Sequence, residues 1–142
     1  MINREAGVQE IYNRIKAARH TLGIAACKRT PTKPITEYKM PCVFIIEGVD
    51  IVLKDNSRNP LGYPSRRQLE VILEIIVERD VDIRALYTGI RSAVLSDATV
   101  AKNTFVMEIR TEGPSGYGLP DVSGMNLVLA LTYTDNGTQQ ED

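Results

Sequence analysis

From Leu69 to Glu78 the chain alternates without a break: Leu69, Val71, Leu73, Ile75 and Val77 share one parity, and Glu70, Glu74 and Glu78 share the other with Ile72 and Ile76 between them. A helix of 3.6 residues per turn would scatter these apolar positions around its circumference, whereas a strand places them all on one side. The segment therefore predicts a strand with one face turned to a core. Whatever else the chain forms must supply a sheet around this strand and a layer to cover it.

The covering layer is readable as two helices. From about Arg4 to Leu22, Val8, Ile11, Ile15, Ala18 and Leu22 recur at helical spacing, while Gln9, Glu10, Asn13, Arg14 and Lys16 fall elsewhere. Asn3 is placed to cap the start and Gly23 to stop the end. A second helix starts from Asp80 or Asp82 and runs to about Leu95, with Ile83, Leu86, Tyr87, Ile90 and Val94 on one side and Arg84 and Arg91 on the other.

Three further segments read as strands. Pro41 introduces Cys42, Val43, Phe44, Ile45 and Ile46, an apolar run suited to burial on both faces, and Gly48 ends or bulges it. Thr104 to Thr111 sets Phe105, Met107 and Ile109 against Val106, Glu108 and Arg110. Met125 to Thr134 sets Leu127, Leu129, Leu131 and Tyr133 against Asn126, Val128, Ala130 and Thr132. The expectation is an α+β domain over residues 1–135, in the order α-β-β-α-β-β, with two helices on one face of an antiparallel or mixed sheet of four or slightly more strands. Residues 136–142 form a polar tail.

Composition adds limits on function. Seventeen basic and 18 acidic residues leave a formal charge of -1, so the molecule as a whole exerts no strong pull on nucleic acid or anionic lipid. The opening from Met1 to Gly7 is polar, and no apolar run is long enough to span a bilayer. A chain kept in the cytosol is expected, with Cys27 and Cys42 as reduced, packed thiols.

The residues that carry chemistry do not form a recognisable set. His20 falls on the last turn of the first helix, where a histidine caps free carbonyls. His20, Cys27 and Cys42 lack the spacing of a zinc site. Gly113-Pro114-Ser115-Gly116 has the wrong spacing for a nucleophile elbow, and no glycine-rich stretch carries the lysine of a phosphate loop. Glu70, Glu74 and Glu78, at every fourth residue of a strand, lie about 13 Å apart, too far to share one metal ion or one scissile bond. No catalytic residue, cofactor or metal is expected.

What remains is a chain with much of its length in loops: Ile24 to Met40, Asp55 to Arg66, and Glu112 to Gly124. Loops this long are uncommon in compact domains unless they are disordered or used for binding. Basic residues gather in the first two, as Lys28, Arg29 and Lys33, and as Arg58, Arg66 and Arg67. Ordinary solvation and partner contact both account for them, and no interleaved aromatics mark a single-strand surface.

The layout resembles the tail terminator family of long-tailed bacteriophages, of the minor tail protein U type. The resemblance is carried by the N-terminal helix, Met40-Pro41-Cys42-Val43-Phe44-Ile45-Ile46-Glu47-Gly48, the alternating strand Leu69 to Glu78, the helix from near Asp82, the glycine-rich excursion, and the closing Leu131-Thr132-Tyr133. It implies a structural virion protein at the head-proximal end of the tail, assembled in the host cytoplasm. Such a protein forms a hexameric ring with copies of itself, caps the tail tube, and meets neck or head-completion proteins and, in some tails, a sheath. In such a ring Glu70, Glu74 and Glu78 are expected to face a channel that DNA crosses without specific binding. Lys28, Arg29, Lys33, Arg58, Arg66 and Arg67, with Glu112, Tyr117 and Asp121, are the expected subunit or partner contacts. The competing readings are a neck or head-to-tail joining ring and, more distantly, a ferredoxin-like ligand-binding module with a concave pocket.

Overall fold

A computed structural model of the chain describes residues 3–53, 65–115 and 119–135. Its elements are helix α1 (Asn3–Ala17), a short helix α2 (Arg19–Leu22), strand β1 (Ala26–Lys28), a 3-10 turn at Ile35–Glu37, strands β2 (Cys42–Val52) and β3 (Ser65–Glu78), helix α3 (Ile83–Val94), and strands β4 (Thr99–Ala101), β5 (Thr104–Ser115) and β6 (Val122–Asp135). The strands form one mixed sheet in the order β1-β2-β3-β6-β5-β4, parallel only between β1 and β2.

β3 behaves as its alternation predicts. Leu69, Val71, Leu73, Ile75 and Val77 are fully buried, and they join Met125, Leu127, Leu129, Leu131 and Tyr133 of β6, Val43 and Ile45 of β2, and Val106 of β5 on one face. α1 lays Val8, Ile11 and Ile15 on that face and α3 adds Ile83, Leu86, Ile90 and Val94. Both helices thus cover the same side. The cap of α3 is Asp82, whose Oδ1 accepts from the backbone N–H groups of Arg84 and Ala85 at 3.0 and 3.4 Å.

Close approach explains Gly7 in the middle of α1. A Cβ there would stand 2.8 Å from Thr104 Cγ2 and 2.9 Å from Leu131 Cδ1, so the helix backbone rests almost directly on β5 and β6. Arg14 then locks the helix to the far end of the sheet. Its guanidinium donates to the carbonyl oxygens of Val94, Asp97 and Thr99 at 2.8, 2.5 and 2.9 Å.

Several expectations are corrected. The sheet has six described strands where four or slightly more were expected, the additions being β1 and β4, three-residue pieces on its two edges. Asn3 is the first residue of α1 and buried rather than a cap outside it. The first helix stops at Ala17 and resumes as α2, ending at Gly23, whose φ of 71° is the left-handed stop expected of it. The Ile24 to Met40 segment is not all loop, since β1 and the 3-10 turn lie within it. Most of Glu112 to Gly124 is not a connection: β5 runs on to Ser115 and β6 starts at Val122. The Asp55 to Arg66 loop falls largely outside the described residues, and what is described of it from Ser65 belongs to β3.

Among the described residues, the face away from the helices is covered at one end only. Residues 34–41 cross it as a strap, with Tyr38 edge-on to Phe44 at 4.9 Å between centroids. Tyr38, Cys42, Phe44, Ile76 and Val122 form a second small core there, packed by Ile35, Met40 and Leu119. This is why Cys42, Val43, Phe44 and Ile45 are all buried: neighbours on β2 point into two different cores.

Candidate functional site

The helix-free face carries the glutamates singled out by the alternation. In the sheet register Glu70 stands opposite Ala130, Glu74 opposite Asn126 and Glu78 opposite Val122, all on the side away from α1 and α3. They share a face but not an environment. Glu70 leans on Gly48, where a Cβ would meet its Oε1 at 2.9 Å, and Arg110 lies 3.8 Å from its other oxygen. Glu74 is half-buried beside Phe44, and burial raises its pKa above the ordinary carboxylate value. Glu78 is exposed at the end of β3.

Beside Glu78 lies an open cleft of about 800 Å³, lined by Tyr38, Lys39, Met40, Arg79, Asp80 and Asp121 among others. Its charged walls are partly tied down. Arg79 donates from its backbone N–H to the Asp121 carbonyl at 3.0 Å and from its guanidinium to the Pro120 carbonyl at 3.1 Å, stitching the end of β3 to the start of β6. Among the described residues no three His, Cys, Asp or Glu side chains gather as a metal site.

The opposite, helix-covered side of β2 carries a charge network. Arg29 reaches from the end of β1 to pair with Glu5 of α1 and, at 3.2 Å, with Glu47 of β2. Arg4 pairs with Glu47 at 2.7 Å and lies 3.6 Å from Asp50. Asp50 in turn accepts from Arg67 Nε at 3.2 Å and from the Tyr133 hydroxyl at 2.5 Å. Burial first, and the Asp50 carboxylate second, push the Tyr133 phenol up to about 12. The Arg29 hydrogen bond holds Glu5 below the ordinary carboxylate value.

The expected contact residues therefore separate into two groups. Arg29, Arg67 and Glu112 have partners within the chain: the network above for the first two, and for Glu112 the Arg110 guanidinium at 2.9 Å. Lys28 and Arg66 are exposed, as is Asp121. Lys33 is also exposed, its ammonium 5.1 Å from the Tyr38 ring centroid. Arg58 and Tyr117 lie outside the described residues.

Sequence reasoning missed the apolar surface. Phe105, Met107 and Ile109 read as one face of a strand with no side assigned to it, and they are 40%, 60% and 43% exposed, while Val106 points into the core. The reason is the register of β5: Val106 stands opposite Leu131, and Phe105 and Met107 stand opposite Thr132 and Ala130 on the helix-free side. At the other edge Val49, Ile51 and Val52 are 66%, 47% and 53% exposed. The β2–β3 register shifts between Glu47 and Asp50, so Gly48 marks a bulge, one of the two outcomes foreseen for it.

No family model and no curated protein matches this chain. Among solved structures it is similar to a chain in the virion of a native gene transfer agent particle, with 12% identity, a TM-score of 0.53, and coverage of 88% of this chain and 92% of that one. It is also aligned with the sheath/tube terminator of an extracellular contractile injection system in the extended state, at 9% identity and a TM-score of 0.45, over 94% of this chain and 60% of that one. The first similarity shows a shared fold.

Proposed function

We propose that this chain is a structural virion protein, a tail terminator that assembles with its own copies into a hexameric ring on the head-proximal end of a tail tube. The ring stops tube growth and presents its outer surface to neck or head-completion proteins. The observation that supports the reading is the fold shared nearly end to end with a virion chain of a gene transfer agent particle. The order of elements read from the sequence points the same way.

In this reading the helix-free face of the sheet is the channel wall. Repeated around a ring, Glu70, Glu74 and Glu78 repel DNA phosphates and keep the duplex from sticking during passage. Glu78 contributes most to the field, because Arg110 offsets Glu70 and Glu74 is half-buried. Replacing all three with lysine leaves the ring intact and impairs DNA ejection; ejection at the parental rate would count against the wall. Exposed Arg66 and Asp121 stand at opposite ends of the β3–β6 pair, so each serves a separate contact with a neighbour, and reversing the charge of Arg66 weakens the assembly.

The direct test is to assemble particles without this protein and measure tube lengths by electron microscopy. Tubes are expected to overrun their normal length and to remain unjoined to heads, with both defects repaired by adding the chain back. Tubes of normal, uniform length in its absence would overturn the reading.

A further inference from the structure

Of the seven large apolar side chains exposed among the described residues, six lie on β2 and β5; only Val81 lies elsewhere, in the turn before α3. Those two strands are the outermost long strands of the sheet, on opposite sides. Each is covered along its outer edge only in part. β1 pairs with Cys42, Val43 and Phe44, and β4 pairs with Thr104 and Phe105, beyond which the Val106 N–H reaches the Ala98 carbonyl at 2.8 Å. Among the described residues no strand flanks residues 45–52 of β2 or 107–112 of β5 on their outer sides.

An apolar strand edge left open in this way is a template for another strand, and folded proteins ordinarily blunt such edges with charge, proline or a cover. Resting on the ring reading above, we propose that the subunit contact is a junction between these two edges, in which residues 45–52 of β2 in one copy pair with residues 107–112 of β5 in the next.

The chain itself carries both halves of this contact. Every step from β2 through β3 and β6 to β5 is antiparallel, so β2 and β5 run in opposite directions. Rotation about an axis roughly along the strands keeps those directions and makes the junction antiparallel, like the rest of the sheet. A contact that joins one edge to a different edge is heterologous, and it builds a ring when its rotation closes without a rise. The side chains also agree: Ile51 lies opposite Gln68, and Met107 opposite Ala130, both on the helix-free side. Joining the edges sets the apolar groups of the two copies beside one another on that face.

The short edge strands fix how the copies meet. Through the register β1 is level with Glu112, and β4 is level with Ile51, so the two covers block opposite ends of the two free edges. Free edge meets free edge only with a stagger along the strands. A closed sheet of tilted strands has such a stagger at its seams, which lets the ring close without a rise from copy to copy.

The test uses single cysteines at exposed positions, Ile51→Cys and Met107→Cys, with the full chain concentrated and treated with a short bismaleimide. Cys27 and Cys42 are buried, with thiols pushed up to about 11, and stay silent. Each variant alone is expected to remain monomeric on a denaturing gel, and the mixture to give dimer and nothing larger. The double variant gives a ladder that ends at the ring. Cross-linking captures transient contacts, so the free chain need not be a stable ring. A mixture without dimer, or single variants that cross-link to themselves as well as the mixture does, would overturn the junction. If tubes are still capped while these cross-links fail, the junction falls and the terminator reading stands; if the cross-links form but tubes overrun, the reverse holds.

Discussion

The two halves of β2 are made of similar side chains and have opposite fates. Cys42, Val43, Phe44 and Ile45 are at most 1% exposed, divided between the core under the helices and the core under the strap. Val49, Ile51 and Val52, on the same strand past the Gly48 bulge, are about half-exposed or more. The first half contributes to the stability of a single copy. The second contributes almost nothing to it, so its apolar area is still available for association. β5 repeats the division, with Val106 in the core and Met107 in solvent.

That contrast can be broken by substitution. Phe44→Ala empties the strap core and is expected to cost about 3–5 kcal/mol in urea unfolding, the range for a fully buried aromatic. Tyr133→Phe leaves Asp50 without its shortest partner and costs about 1.5–3 kcal/mol at neutral pH. It also has a pH signature. The phenol's pKa is raised from 10.0 to about 12 on folding, so its contribution is complete below the lower value and lost as pH climbs through the upper one. In that window the parent is expected to lose stability more steeply than Tyr133→Phe, and parallel curves would remove the assignment.

Gly7→Val forces a side chain against Thr104 and Leu131 and costs about 1–3 kcal/mol, read from the thermal midpoint. The smallest effect on a single copy belongs to Ile51→Ala, within about 0.5 kcal/mol, as for surface positions generally. That variant is expected to assemble poorly all the same, measured by mass in solution. If Ile51→Ala instead costs as much stability as a core truncation, the division between the halves of β2 is wrong.

How much of this was legible in the sequence follows from how each element is held. β3, α3 and β6 carry their periodicity in their own residues, because each buries a continuous stripe, and they stand where the spacing placed them. β1 has three residues and no alternation. It exists because the Ala25 and Ala26 N–H groups find the Pro41 carbonyl across the chain, a tertiary pairing without a local signal. β4 did leave one: Asn103, with φ of 51°, makes the tight turn into β5 that a Lys-Asn pair between short apolar pieces can mark.

β5 was ambiguous for a different reason. Phe105, Met107 and Ile109 have the alternation of a buried face, and alternation records that a face is apolar without recording what covers it. The glutamates of β3 were legible as one face, but their inequality was not. It depends on Arg110, Gly48 and Phe44, which arrive from other strands.

Amide hydrogen exchange along β2, compared between the isolated chain and the chain mounted on tail tubes, tests this division most directly. In the isolated chain, amides in residues 42–45 should exchange slowly, and the outward-facing ones in 47–52 quickly, with those of β5 residues 107–112. On the tube both fast segments should become slow together while the helices change little. Continued fast exchange at both edges in the assembled particle would contradict the account.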